Sequence, residues 1–151
     1  MEPGERFVRA MLSLLDMTRG TLWRVKESVW IRRVPRYVDG GRRLHVGLAV
    51  KRNPPTSVSD VFPLLIGSSK DRDAPEGRLA VAGCFGPRSK KQTFFRYRPV
   101  QVPLVDAWDE AEGATIVRNR FKPRLSPDEA RRLDALLAAD PAPDRTVGGR
   151  P

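Results

Sequence analysis

"MTRGTLWRVKESVW", residues 17–30, decides the fold. Apolar and polar residues alternate after Gly20, through Leu22, Trp23 and Val25. A period of two is the signature of a half-buried strand. Val29, Trp30 and Ile31 extend the same pattern and read as strand or hairpin material. Arg19-Gly20 marks the break from whatever precedes the strand.

Working outward, residues 5–17 carry Phe7, Met11, Leu14 and Leu15 at helical spacing, with Val8 and Leu12 beside them. This predicts an N-terminal helix over 5–17. On the other side, Asp39-Gly40-Gly41 is a turn signal, and residues 44–50 form the next strand, ended by Asn53-Pro54-Pro55. Residues 60–69 are largely apolar and predict a buried strand. Residues 78–86 and 92–104 follow as strands, and Pro99 and Pro103 place the end of the latter at a sheet edge. Residues 115–117 read as a further short strand. Ser126-Pro127-Asp128-Glu129 opens a C-terminal helix over 127–138, with Ala130, Leu133, Leu136 and Leu137 as its apolar stripe. The Pro/Gly-rich tail, 141–151, reads as disordered. The prediction is a single domain over 1–140, mainly β with flanking helices, its strands over 21–117 forming a small, strongly bent sheet or barrel.

The chain of 151 residues carries a net charge of +10, and the charge is uneven. Residues 19–98 hold 18 Lys and Arg against 6 Asp and Glu, while the flanking segments are nearly balanced. Such a basic middle segment suits a phosphate-bearing or acidic partner; solubility alone would also use it. No apolar run approaches the ~20 residues of a membrane span. The N-terminus lacks the basic start of a secretory signal. One cysteine, Cys84, rules out an intramolecular disulfide framework. These features predict a cytoplasmic protein with no membrane association.

His45 and Cys84 are the sole histidine and cysteine, so no pair of soft ligands has metal-site spacing. Neither a metal nor a cofactor is expected. Cys84 sits in an apolar strand and reads as a small core residue. His45 is of the residue type that suits acid–base work, or it takes a structural place at a strand edge. Arg42 and Arg43 follow Gly40-Gly41 on a hairpin turn. There they either face solvent or deliver two guanidinium groups, which bind phosphate bidentately and stabilise added charge on it. Ser68, Ser69 and Lys70 end a buried strand, where hydroxyls bind phosphate or cap the turn. In residues 87–98, Lys90 and Lys91 precede Phe94, Phe95 and Tyr97, which interleave with Arg96 and Arg98. Cations beside aromatic rings are what single-stranded nucleic acid binding uses. One of the two aromatic faces belongs to the core.

Several of these stretches together resemble the MazF/PemK-like toxins of bacterial toxin–antitoxin systems. The family opens its first strand with Arg-Gly-Asp-Ile-Trp, matched by Arg19-Gly20-Thr21-Leu22-Trp23. Its Gly-Gly-x-Arg-Pro turn is matched by Gly40-Gly41-Arg42-Arg43-Leu44, and its Leu-Thr-Ser strand end by residues 64–70, "LLIGSSK". A C-terminal helix closes both. Thr21 and Leu44 depart from the family's aspartate and proline.

The resemblance implies an SH3-like (MazF/PemK/CcdB-type) barrel that forms a homodimer. It implies metal-independent cleavage of single-stranded RNA by attack of the ribose 2′-hydroxyl, restrained by an acidic antitoxin protein. The family's catalytic arginine carries over to Arg43. Its threonine falls on Gly67 or Ser68, and Ser68 retains the hydroxyl. In this reading Arg43, Ser68 and His45 are catalytic. Arg19, Arg42, Ser69, Lys70, Lys90, Lys91, Phe94 and Arg96 bind RNA. The alternative is the same barrel without chemistry, gripping nucleic acid or an acidic partner. A weaker third reading has it poison a protein target such as gyrase.

Overall fold

The period-two stretch forms strand β1, Leu22–Lys26, in the computed structural model, which describes residues 2–33, 44–57, 59–68, 78–96 and 99–139. Leu22 enters one hydrophobic core, whereas Trp23 and Val25 enter another, as alternation across a sheet requires. The chain then departs from expectation. Residues Glu27–Arg33 are not strand but a helix, α2. Val29 and Trp30 are 3% and 0% exposed, and Ile31 is 54% exposed. A strand would put Val29 and Ile31 on one face; a helical turn buries two neighbours together and turns the third outward. Glu27 in the first turn and Arg32 and Arg33 in the last also suit the helix dipole.

The other strands are β2 (Leu44–Ala49), β3 (Val61–Ser68), β4 (Arg78–Ala82), β5 (Gln92–Arg96), β6 (Val100–Pro103) and β9 (Ile116–Arg118). With β1 they make one antiparallel sheet in the order β4-β5-β3-β2-β1-β9, and β6 also pairs with β3. The path ends at β4 and β9, which do not pair among the described residues, so the sheet is not a closed barrel. The fold is mainly β with flanking helices. Trp108–Asp109 (β7) and Gly113–Ala114 (β8) form a separate small hairpin.

The segment predicted as one strand over 92–104 is two. β5 pairs with Gly67 and Ser68 at one end of β3, and β6 pairs with Val61–Leu64 at the other. Pro99, without an N–H, lies between them. Pro103 ends β6, whose one partner among the described strands is β3, in keeping with an edge.

The sheet separates two cores. Trp23, Val25, Trp30, Phe62, Leu64 and Ile116 fill the first, beneath the N-terminal helix α1 (Pro3–Ser13) and α2. Leu22, Val46, Leu48, Leu65, Val81 and Phe95 fill the second, against the C-terminal helix α3, Pro127–Ala139. At Gly47 a Cβ would stand 3.0 Å from Val25 Cγ2 and 3.6 Å from the Trp30 ring. The bare backbone there lets the tryptophan lie on the sheet.

Helix α1 spans Pro3–Ser13, not 5–17. Leu14 leaves helical dihedrals (φ −116°, ψ 19°) yet is buried, and Met17 follows it into the core from a turn. Leu15, expected in the apolar stripe, is 55% exposed. Arg6 fixes the helix by donating to the carbonyls of Trp108 (3.0 Å) and Val105 (3.1 Å). At the other terminus, the Glu129 N–H donates to Ser126 Oγ (3.2 Å) and the Ser126 N–H donates to Glu129 Oε1 (2.9 Å). This reciprocal capping box starts α3 where the sequence predicts. Leu133 and Leu137 are its buried face. Among the described residues no helix is long and apolar enough to cross a membrane. The tail 141–151 lies outside the described residues.

Candidate functional site

Register decides which predicted residues meet. Gly47 of β2 stands opposite Ile66 of β3, and Ser68 stands opposite Phe94 of β5. Residues two apart on a strand project to the same face. His45, Gly47, Ile66, Ser68 and Phe94 therefore share the face of the first core. Phe94 and Ile66 are half-buried and Ser68 is exposed. Phe95 and Thr93 point the other way and are buried in or beside the second core. The interleaved aromatics divide as expected: Phe95 serves the core and Phe94 faces the site.

Gly67 and Ser68 are distinguished by packing. A Cβ on Gly67 would collide with the Thr93 methyl and come within 2.9 Å of the Phe95 ring and 3.0 Å of the Val46 carbonyl oxygen. A side chain there would push its neighbours aside. The hydroxyl available at this strand end is that of Ser68.

His45 is paired with Val25 across the β1–β2 ladder. Glu27 begins α2 two residues later, and its Oε1 lies 3.6 Å from His45 Nε2. Both side chains are largely buried. A carboxylate at this distance pairs with the imidazole by charge whenever the ring carries a second proton. Glu27 is absent from the sequence-derived set. Its one trace in the sequence is an acid directly after a strand that carries two cations, Arg24 and Lys26.

Arg19 is elsewhere. Its Nε donates to the Val50 carbonyl (2.9 Å) and its guanidinium lies 3.7 Å from Asp134 of α3. Val50 is five residues along the chain from His45, about 17 Å at a strand rise of ~3.4 Å per residue. Arg19 ties α3 to the end of β2, a structural task. Lys90 and Lys91 are exposed in the turn that leads into β5. Arg96 occupies the β5 position opposite Arg78 of β4. Arg42, Arg43, Ser69 and Lys70 lie outside the described residues. Cys84 is buried in the second core, and burial pushes its thiol up, which suits a packing role. Among the described residues no cluster of three or more His, Cys, Asp or Glu is placed to hold a metal ion.

Below the turn at Ala82–Gly83 sits a carboxylate, that of Glu129. Besides the helix cap it accepts the Ala82 N–H (3.2 Å) and faces Lys122 Nζ at 2.9 Å. Burial pushes this carboxyl up, but the Ser126 N–H, Lys122 and the Ala82 N–H together hold it below the ordinary value. The group clamps α3, β4 and the segment after β9 to one another. Set against known proteins, the chain matches no family model and no curated protein.

Proposed function

We propose that the chain is a MazF/PemK-like toxin, an SH3-like barrel that dimerises and cleaves single-stranded RNA without a metal. The observation that carries the reading is the common face of His45, Ser68 and Phe94. Arg43 precedes His45 by two residues in the sequence, directly before β2.

In this mechanism His45 takes the proton of a ribose 2′-hydroxyl. The freed oxygen bonds to the adjacent phosphorus, and the bond from phosphorus to the 5′ oxygen breaks. The imidazolium returns the proton to that oxygen, leaving a 2′,3′-cyclic phosphate and a 5′-hydroxyl. Arg43 stabilises the extra negative charge of the phosphorane, and Ser68 holds a non-bridging oxygen. Glu27 steadies the imidazole. Phe94 stacks a neighbouring base, with Lys90 and Lys91 on the backbone. The basic middle segment suits an acidic antitoxin as the restraining partner.

The test is incubation of the purified chain with single-stranded RNA in excess chelator. Cleavage with cyclic phosphate ends, lost when the 2′-hydroxyl at the cut is replaced by hydrogen, supports the reading. Salt-sensitive binding with intact RNA assigns the chain to the binding-module alternative instead. Arg43→Ala that cuts as fast as the parent removes Arg43 from the mechanism.

A further inference from the structure

Away from His45 and Ser68, two turns meet and expose aromatic rings among cations. The first runs from Gly83 to Lys91 between β4 and β5, and the second from Asn119 to Leu125 after β9. Asn119 Nδ2 donates to the Cys84 carbonyl (3.2 Å), and Lys122 Nζ donates to the Ala82 carbonyl (2.6 Å). Two cross-bonds thus fix one turn against the other. The Phe121 ring lies over Gly86, where a Cβ would be 3.7 Å from its Cδ1. Phe85 is the residue before Gly86. Phe85 is 41% exposed and Phe121 49%, although large aromatics ordinarily bury most of their surface.

The charge around them has one sign. Residues 83–91 and 119–125 contain Arg88, Lys90, Lys91, Arg120, Lys122 and Arg124, with no Asp or Glu. Lys122 is neutralised by Glu129, while Arg88, Arg120 and Arg124 are exposed. The Arg120 guanidinium carbon is 5.2 Å from the Phe121 ring centroid. An exposed cation–π contact contributes only about 0.5–1 kcal/mol. A nucleobase can therefore displace the guanidinium from the ring, and the arginine then reaches a phosphate.

We propose that this surface binds single-stranded nucleic acid through base stacking on Phe85 and Phe121, with Lys90 and Lys91 at its edge leading into the strand β5 that carries Phe94. An acidic peptide would satisfy the cations but has no flat groups for two exposed rings; a single strand supplies both phosphates and π-faces. The inference stands whether or not the chain cleaves RNA.

Fluorescence anisotropy with a 2′-deoxy oligonucleotide tests it, since that strand has no 2′-hydroxyl and measures binding alone. Phe85→Ala with Phe121→Ala is expected to weaken binding about thirtyfold or more, on the order of two lost stacked bases. Both residues are exposed, so an unchanged melting temperature confirms that the fold is kept. Arg120→Ala with Arg124→Ala is expected to weaken binding and reduce the slope of log affinity against log salt by about 1.4, at ~0.7 per phosphate contact on a single strand. Unchanged affinity in the double phenylalanine variant overturns the proposal. So does equal affinity for poly-glutamate of the same charge, which assigns the surface to an acidic protein.

Discussion

Ser68 stands directly across the β3–β5 ladder from Phe94, and Gly67 beside it is packed so tightly that a Cβ there would force its neighbours to shift. A hydroxyl and an aromatic ring are thus presented together on one face, and the next residue is committed to the opposite core. For the proposed reaction, Ser68→Ala is expected to slow RNA cleavage, with Phe94→Ala raising KM about tenfold for a lost stacked base. His45→Ala is expected to cost about 10²-fold or more in kcat, the usual contribution of an acid–base group. Single-turnover rates on a defined RNA measure all three.

Gly67→Ala tests the packing. Overfilling a close-packed core costs about 1–3 kcal/mol. In a chain of this size each kcal/mol lowers Tm by about 2–4 °C. Thermal unfolding is therefore expected to shift down for Gly67→Ala and to stay within about 1 °C for Ser68→Ala, since exposed substitutions are usually near neutral.

Glu129 sets a pH dependence. Its carboxyl titrates below its ordinary value in the folded chain, despite burial, because it accepts N–H groups and faces Lys122. A carboxyl lowered by folding contributes stability above its unfolded value of about 4.5, and that stability is lost as pH falls through the lower folded value. Acid unfolding followed by circular dichroism is expected to steepen below that pH, and Glu129→Gln is expected to flatten this part of the curve. At pH 7, Glu129→Ala is expected to cost about 3 kcal/mol, since it leaves Lys122 without its partner and removes the cap.

Arg33 grips Asp106 through two hydrogen bonds, Nε to Oδ2 at 2.7 Å and Nη2 to Oδ1 at 3.2 Å. Asp106 is buried, and the contact holds α2 to the turn after β6. The carboxylate raises the guanidinium further above its ordinary value. Asp106→Ala is expected to lose about 3 kcal/mol, as for a broken buried pair. Arg33→Lys is expected to recover only part of the bond, because an ammonium lacks the planar fork. Denaturant midpoints for the two variants and their double check the coupling.

The sequence shows some of this directly and hides the rest for physical reasons. Alternation in Leu22–Val25, the apolar run ending at Ser68 and the capping box at Ser126 are local signals, and each predicts its element. Helix α2 is hidden because Val29, Trp30 and Ile31 have high strand propensity; packing of Trp30 over Gly47 overrides it. The break between β5 and β6 is hidden because both halves are strand, and only pairing with two ends of β3 separates them. The bond from Arg19 to Val50 is hidden because its acceptor is a backbone carbonyl, which no sequence displays. Glu27 is missed because its partner is 18 positions away and comes near only once β1 and β2 are in register. The common face of His45, Ser68 and Phe94 was legible in part, as strand ends with suitable chemistry.

Among the described residues, strand β5 meets β3 at two residue pairs, Gly67 with Phe95 and Ser68 with Phe94. Among the described residues the β4–β5 hairpin joins the main sheet through these pairs, and α3 braces it through Glu129 and Ala82. Phe94 rides on that hairpin, while His45 is anchored in the main sheet. Shortening α3 from its C-terminal end would loosen the brace and let the ring drift relative to the imidazole, without unfolding the strands that carry His45.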